Sequence, residues 1–221
     1  LLRAHAKVYH RLKKLNPDVQ IGAAKNVTLF DPKNRWSPID WPFARLMEWF
    51  WNGAWRSGMQ NGRMFFKDIP EAKGTLDFVG LNYYTHVLVG PASVSLLKMK
   101  FPKRRQEVAT EFGYPMYAEG LRRAIEFLVP LNVPIEITEN GVADAEDTLR
   151  TEHLRRHLWV LSNAVKDGHD VRSYHHWSLM DNFEWAEGYT MRFGLHRVDF
   201  ETQERALRPS GEVYRRIVND H

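Results

Sequence analysis

The chain has 221 residues, 43% hydrophobic and 26% charged, a balance that supports a large packed core and excludes a disordered or fibrous chain. A formal net charge of +4 is too mild to make a nucleic-acid carrier, and the absence of cysteine excludes disulfides and thiolate metal sites. No apolar run reaches membrane-spanning length and no signal-peptide pattern opens the chain, so a cytoplasmic protein without a membrane partner is expected.

Residues 1–15 read as an amphipathic helix with Leu2, Ala6, Tyr9, Leu12 and Leu15 along one stripe. The helix starts with neither a capping residue nor Met, as expected of a chain continued upstream in a longer parent. Val19–Val27 follows as a strand, with Gln20, Gly22, Ala24 and Asn26 on one face. Asp31 to Gly62 reads as a loop and then an aromatic helical region, with Asp40 as N-cap before Trp41-Pro42. Its Trp36, Trp41, Phe43, Trp49, Phe50, Trp51 and Trp55 are expected to pack mainly against a sheet wall, with one or two lining a cleft.

Leu76–Tyr84 is the next strand; Phe78, Gly80, Asn82 and Tyr84 share one face, and Val79, Leu81 and Tyr83 the other. His86 to Phe112 reads as an irregular surface excursion. Its cluster of Lys98, Lys100, Lys103, Arg104 and Arg105 is expected to be a solvated loop, because no aromatic residues interleave as stacking platforms for bases. Tyr117–Val129 is a helix buried along Leu121, Ala124, Ile125 and Leu128. Ile135–Glu139 is a strand ended by an Asn140-Gly141 turn signal, and Thr151–Asp167 a helix stopped by Gly168. Val171–Leu179 is the last strand, with Val171, Ser173, His175 and Trp177 on one face, before a helix at Gly211–Val218. Four strands separated by helical stretches indicate parallel βα units, with polar and aromatic residues gathered at the strands' C-terminal ends.

Strict alternation puts Glu139 on the face of Ile135 and Ile137, an expensive position for a carboxylate unless it is paired or used. A strand-end Glu in a salt bridge and a working carboxylate both satisfy that pattern.

The sequence around it narrows the choice. Ile137-Thr138-Glu139-Asn140-Gly141, Asp77-Phe78-Val79-Gly80-Leu81-Asn82-Tyr83-Tyr84-Thr85 and Trp177-Ser178-Leu179-Met180-Asp181-Asn182-Phe183-Glu184-Trp185 occur in that family's order and spacing when set beside glycoside hydrolase family 1, the β-glucosidase family. Gly188-Tyr189, Arg192-Phe193-Gly194-Leu195 and Val198-Asp199-Phe200 extend the match, so the chain resembles this family over nearly its whole length. The resemblance implies an α/β fold of the (β/α)₈ TIM-barrel type, residues 1–221 supplying one unit of roughly strands 5–8, the C-terminal half. It implies a retaining β-glycosidase with Glu139 as nucleophile and an inward Tyr84 holding it. Asn26 and Asn82 would belong to the substrate-facing rim, Trp177 would form an apolar floor for a sugar face, and Phe193 would wall the pocket. Glu184 and Trp185 would bind the outer hydroxyls of a terminal β-linked sugar. The chemistry requires no metal and no cofactor.

The family's acid/base Glu sits in a Thr-x-Asn-Glu-Pro motif, and this chain contains no Asn-Glu-Pro. The resemblance therefore implies a partner, an N-terminal half-barrel segment carrying that Glu, or self-association through open sheet edges. A catalytically incompetent half-barrel or sugar-binding remnant remains the alternative. Three residues depart from the family pattern: Ser173 and His175 stand where Gly and Phe are usual, and Glu136 where an aromatic residue is usual. His175 is expected to be a hydrogen-bonded core histidine.

Overall fold

A computed structural model describes residues 1–91 and 101–220. The predicted Lys98 and Lys100 therefore lie outside the described residues. In chain order the elements are α1 (Leu2–Leu15), β1 (Gly22–Asn26), β2 (Leu29–Pro32) and α2 (Asp40–Glu48). A π-helical turn (Trp49–Gly53) leads into α3 (Ala54–Asn61) and the hairpin of β3 (Arg63–Met64) and β4 (Lys67–Asp68). Then come β5 (Phe78–Asn82), β6 (His86–Val89), α4 (Glu119–Leu128), β7 (Ile135–Asn140), α5 (Arg150–Lys166) and β8 (Val171–His176). The hairpin of β9 (His196–Val198) and β10 (Arg205–Leu207) and the helix α6 (Pro209–Asn219) close the chain.

The four predicted strands form one parallel sheet in the order β1-β5-β7-β8. Helices cover one of its faces. Val79, Leu81, Tyr83, Ile135 and Ile137 pack there against Leu121, Ala124, Ile125 and Leu128, the stripe expected of α4. The Tyr83 hydroxyl donates to the Tyr117 carbonyl at 2.6 Å, which confirms the outward direction expected of it. The opposite face, lined by Ala24, Asn26 and His175, is open. Among the described residues β1 and β8 have a neighbour on one side only.

Two bulges correct the alternation predicted from sequence. In β7, Ile137 lies opposite Leu81 but Glu139, not Thr138, lies opposite Asn82. The extra residue turns Glu139 off the apolar face of Ile135 and Ile137 and onto the open face shared by Asn82 and Tyr84. In β8, Val171 pairs with Ile135 and Ser173 with Glu136, so Arg172 is the additional residue. Val171 consequently joins the helix-side core instead of sharing a face with Ser173.

Other expectations change for local reasons. The cap of α2 is provided by Ser37, whose Oγ accepts from the Asp40 N–H at 3.2 Å, while Asp40 lies inside the first turn. Leu12 and Leu15 of the α1 stripe are exposed, because only the N-terminal half of that helix reaches the small core of Met59, Ile69 and Ala72. Of the aromatic series only Trp55 packs against both cores; Trp36, Trp41, Trp49, Phe50 and Trp51 are exposed, since α2 meets β2 and β6 through small Ala44. The segments expected to be loop and irregular excursion contain a parallel pair, β2 with β6. Asn140-Gly141 makes no hairpin. Asn140 is buried, donating to the Tyr83 carbonyl at 2.7 Å and accepting from the Tyr174 hydroxyl at 2.9 Å. A side chain on Gly141 would collide with the Trp177 carbonyl, so the glycine serves close packing of two strand ends. His175 is exposed on the open face instead of being a satisfied core histidine, because the described sheet leaves that face uncovered.

Candidate active site

Four adjacent strand tips bring the expected residues to one end of the sheet. Asn26 ends β1, Asn82 ends β5, Glu139 stands one residue from the end of β7, and Trp177 follows β8 directly. Parallel strands carried from buried helix-side anchors make these ends coincide. The Tyr84 hydroxyl donates to Glu139 Oε2 at 2.7 Å. Burial and the neighbouring Glu139 charge hold the Tyr84 phenol protonated, pushing its pKa well above the usual tyrosine range. It is thus a permanent donor, suited to orienting a carboxylate. Thr138 donates to Asn82 Oδ1 at 2.6 Å and locks the amide at the next strand tip.

The β8 loop completes the pocket. Trp177 Nε1 donates to Glu184 Oε1 at 3.0 Å, and Glu184 is buried. Its carboxyl is pushed above the usual glutamate range by burial, with the Glu139 charge adding and the Trp177 hydrogen bond opposing. Phe193 is buried edge-on to Tyr84, ring centroids 6.4 Å apart. The structure therefore brings Glu139, Tyr84, Glu184, Trp177, Phe193 and Asn82 together. Asn26 is exposed at the β1 tip, and Trp185 is 86% exposed at a positive φ of 44°, away from these contacts.

Three supports were not anticipated. Tyr114 is buried beside Tyr84, with centroids 6.2 Å apart. Asn140 ties β7 to its neighbours, as described above. Asp181 holds the loop that carries Glu184 and Phe193: it pairs with Arg208 at 3.0 and 3.1 Å and accepts the Gly194 and Val198 N–H groups at 2.9 and 3.2 Å. An Asp between Met180 and Asn182 within the quoted motif was the available signal for it. Asp181→Ala is expected to lower stability by about 3–5 kcal/mol, because it strands a buried guanidinium. Urea unfolding monitored by near-ultraviolet dichroism checks this, and a loss below 1 kcal/mol would count against it. Tyr84→Phe removes one hydrogen bond to a charged acceptor, worth about 1.5–3 kcal/mol. If Glu139 is the nucleophile that the motif resemblance implies, its covalent labelling by a fluorinated glycoside should be about 10–100-fold slower in this variant, read by intact mass against time.

Parallel βα units with functional side chains at the strand tips define an α/β protein of the (β/α)₈ barrel class. The chain belongs to glycosyl hydrolase family 1, whose profile matches residues 1–221. It is 33% identical to a 1,4-beta-D-glucan glucohydrolase of Thermotoga neapolitana, with 100% of this chain and 55% of that relative covered. It is 32% identical to a beta-galactosidase of Saccharolobus solfataricus, with 100% and 47% covered. Among solved structures, the family 1 b-glucosidase from Thermotoga maritima superposes with a TM-score of 0.88 at 31% identity, over 99% of this chain and 55% of that one. The chain thus spans about half the length of the relatives it matches.

Proposed function

We propose that the chain provides the nucleophile-bearing half of a retaining β-glycosidase acting on terminal β-linked sugars. The observation that carries this reading is the 2.7 Å contact between Tyr84 and Glu139 on the open face of the sheet. A carboxylate aimed there by a bulge and held by a protonated phenol is placed to attack an anomeric carbon and form a glycosyl-enzyme. Glu184, with Trp177 bonded to it, is placed to accept sugar hydroxyls, and Trp177 and Phe193 offer aromatic surface for a sugar face. Asn82 and Asn26 extend the rim, and Trp185 would have to fold inward on ligand binding.

Retention requires a second carboxyl roughly 5–5.5 Å from the nucleophile. On this reading it comes from a complementary N-terminal segment that pairs with the free edges of β1 and β8; those edges and the uncovered face support it. The same edges favour self-association when the segment is absent. The test is trapping with 2,4-dinitrophenyl 2-deoxy-2-fluoro-β-glucoside, whose leaving group departs without acid assistance, followed by peptide mapping. A sugar adduct on the peptide containing Glu139 is expected. Label elsewhere, or none once the barrel is complete, would refute the assignment. The sugar-binding alternative predicts binding without any adduct.

A further inference from the structure

We propose that a basic cleft at the same end of the sheet as Glu139 is an oxyanion site that receives an acidic group on the aglycone of the β-glycoside; the aglycone part rests on the function proposed above. The cleft, about 460 Å³, opens between the segment that follows β2 and residues 104–106. Lys33, Arg35, Arg104 and Arg105 line it together with Asn34 and Gln106, and no carboxylate does. The nearest acidic contact of these cations among the described residues is Arg104 Nη1 to Glu107 Oε1 at 3.9 Å.

The walls are braced from beneath. Asp31, the residue before Pro32, accepts from Arg123 through both oxygens at 3.0 Å and faces His86 Nδ1 at 2.6 Å. His86 Nε2 lies 3.1 Å from Glu107 Oε1, on the residue after Gln106, and Glu107 Oε2 accepts the Arg104 N–H at 2.6 Å. One fully buried imidazole thus stands between the two walls, bonded to Asp31 on one side and close to Glu107 on the other, which brings the cation-bearing segments near one another.

Position supplies the second argument. β2 and β6 continue beyond the C-terminal ends of β1 and β5, with the Lys33 N–H donating to the Val89 carbonyl at 2.8 Å. The wall carrying Arg104 begins near Phe101, whose ring lies 6.1 Å from Tyr114, which in turn neighbours Tyr84. The sugar end of the site is acidic, through Glu139 and Glu184, whereas the cleft is cationic. A substrate with a neutral sugar and a carboxylate, sulfate or phosphate on its aglycone would be oriented by that polarity.

The test uses calorimetric titration of the 221-residue chain at low ionic strength with 4-carboxyphenyl β-D-glucoside, phenyl β-D-glucoside and inorganic phosphate. The carboxylated glucoside should bind about fivefold more tightly than the neutral one. That ratio should fall to one in the double variant Arg35→Glu, Arg105→Glu, and also at high salt. Phosphate should bind weakly and only with both arginines present. Equal affinities for the two glucosides, or a preference that survives the double variant, would overturn the aglycone assignment. Absence of arginine-dependent phosphate binding would overturn the oxyanion site. If fluoro-sugar labelling fails while arginine-dependent phosphate binding persists, the glycosidase reading falls and the oxyanion site stands.

Discussion

Replacing Glu139 by Gln in the completed barrel is expected to abolish the glycosyl-enzyme and to lower kcat for aryl β-glucosides on the order of 10⁵-fold. The amide keeps the shape of the carboxylate and still accepts from Tyr84, so binding of a neutral glycoside should change little. What is lost, on the proposed mechanism, is the electron pair that would bond to the anomeric carbon. Shortening the residue, as in Glu139→Gly, opens space on the attacked face. Azide supplied there should then yield a glycosyl azide of inverted configuration, since one displacement replaces two. Glu184→Gln provides the contrast. That carboxyl is bonded to Trp177 and is proposed to accept sugar hydroxyls, so its change should appear mainly in KM. Steady-state kinetics with product configuration by NMR separates the cases; a kcat within tenfold of the parent for the Gln variant would remove Glu139 from the mechanism. The isolated chain should also fail to turn over alkyl β-glucosides, since missing acid assistance alone is worth roughly 10²–10⁴-fold.

A second large effect is expected in stability, between pH 7 and 5. His153 and His157 stack one helical turn apart on α5, ring centroids 3.8 Å apart, and the ring nitrogens of His176 on β8 are also shut from solvent. Burial, more than the nearby cations, lowers all three: His157 to about 4, His176 to about 3 and His153 well below its usual value. Arg150 lies close to His153 and His176, and Arg156 to His153 and His157; Glu119 and the His153 carbonyl partly oppose the shift at His157. The unfolded chain takes up protons near pH 6.5 whereas the folded chain does not, so stability is complete above that value. It falls as pH drops towards the folded values. The loss should reach about 2 kcal/mol for each histidine by pH 5, against a total of about 5–15 kcal/mol for an ordinary domain. Urea midpoints at pH 7, 6 and 5 should therefore decline steadily, and the slope should flatten in a His153→Leu, His157→Phe variant. A midpoint unchanged over that range would contradict the burial argument.

Much of the architecture was legible because it is written in periodicity. The α4 stripe of Leu121, Ala124, Ile125 and Leu128 and the two faces of β5 read directly from spacing. Tyr84, Glu139 and Glu184 were legible only through motif resemblance, and Glu139 through a faulty geometric step, because alternation alone assigns it to the wrong face. A bulge leaves no compositional trace in Ile-Thr-Glu-Asn. The pairing of β2 with β6 was hidden because each is four residues long, and Asp31-Pro32 within the first reads as the start of a turn instead of a strand. The exposed tryptophans were misjudged because hydrophobicity reports a preference for burial, whereas the packing surface available beside Ala44 decides how many rings are covered. The basic cleft joins residues about seventy positions apart and depends on a buried histidine that no local pattern marks.

The irregularity in β7 also governs which changes in chain length this region can absorb. The Glu139 carboxylate is aimed by one extra residue across a single rung of the ladder, so excision of Thr138 would keep Glu139 opposite Asn82 and cost the Thr138 hydrogen bond to the Asn82 amide. A ladder run straight through, with Thr138 opposite Asn82, would instead point the carboxylate into the apolar wall beneath α4 and leave an intact shell with no carboxylate on its open face.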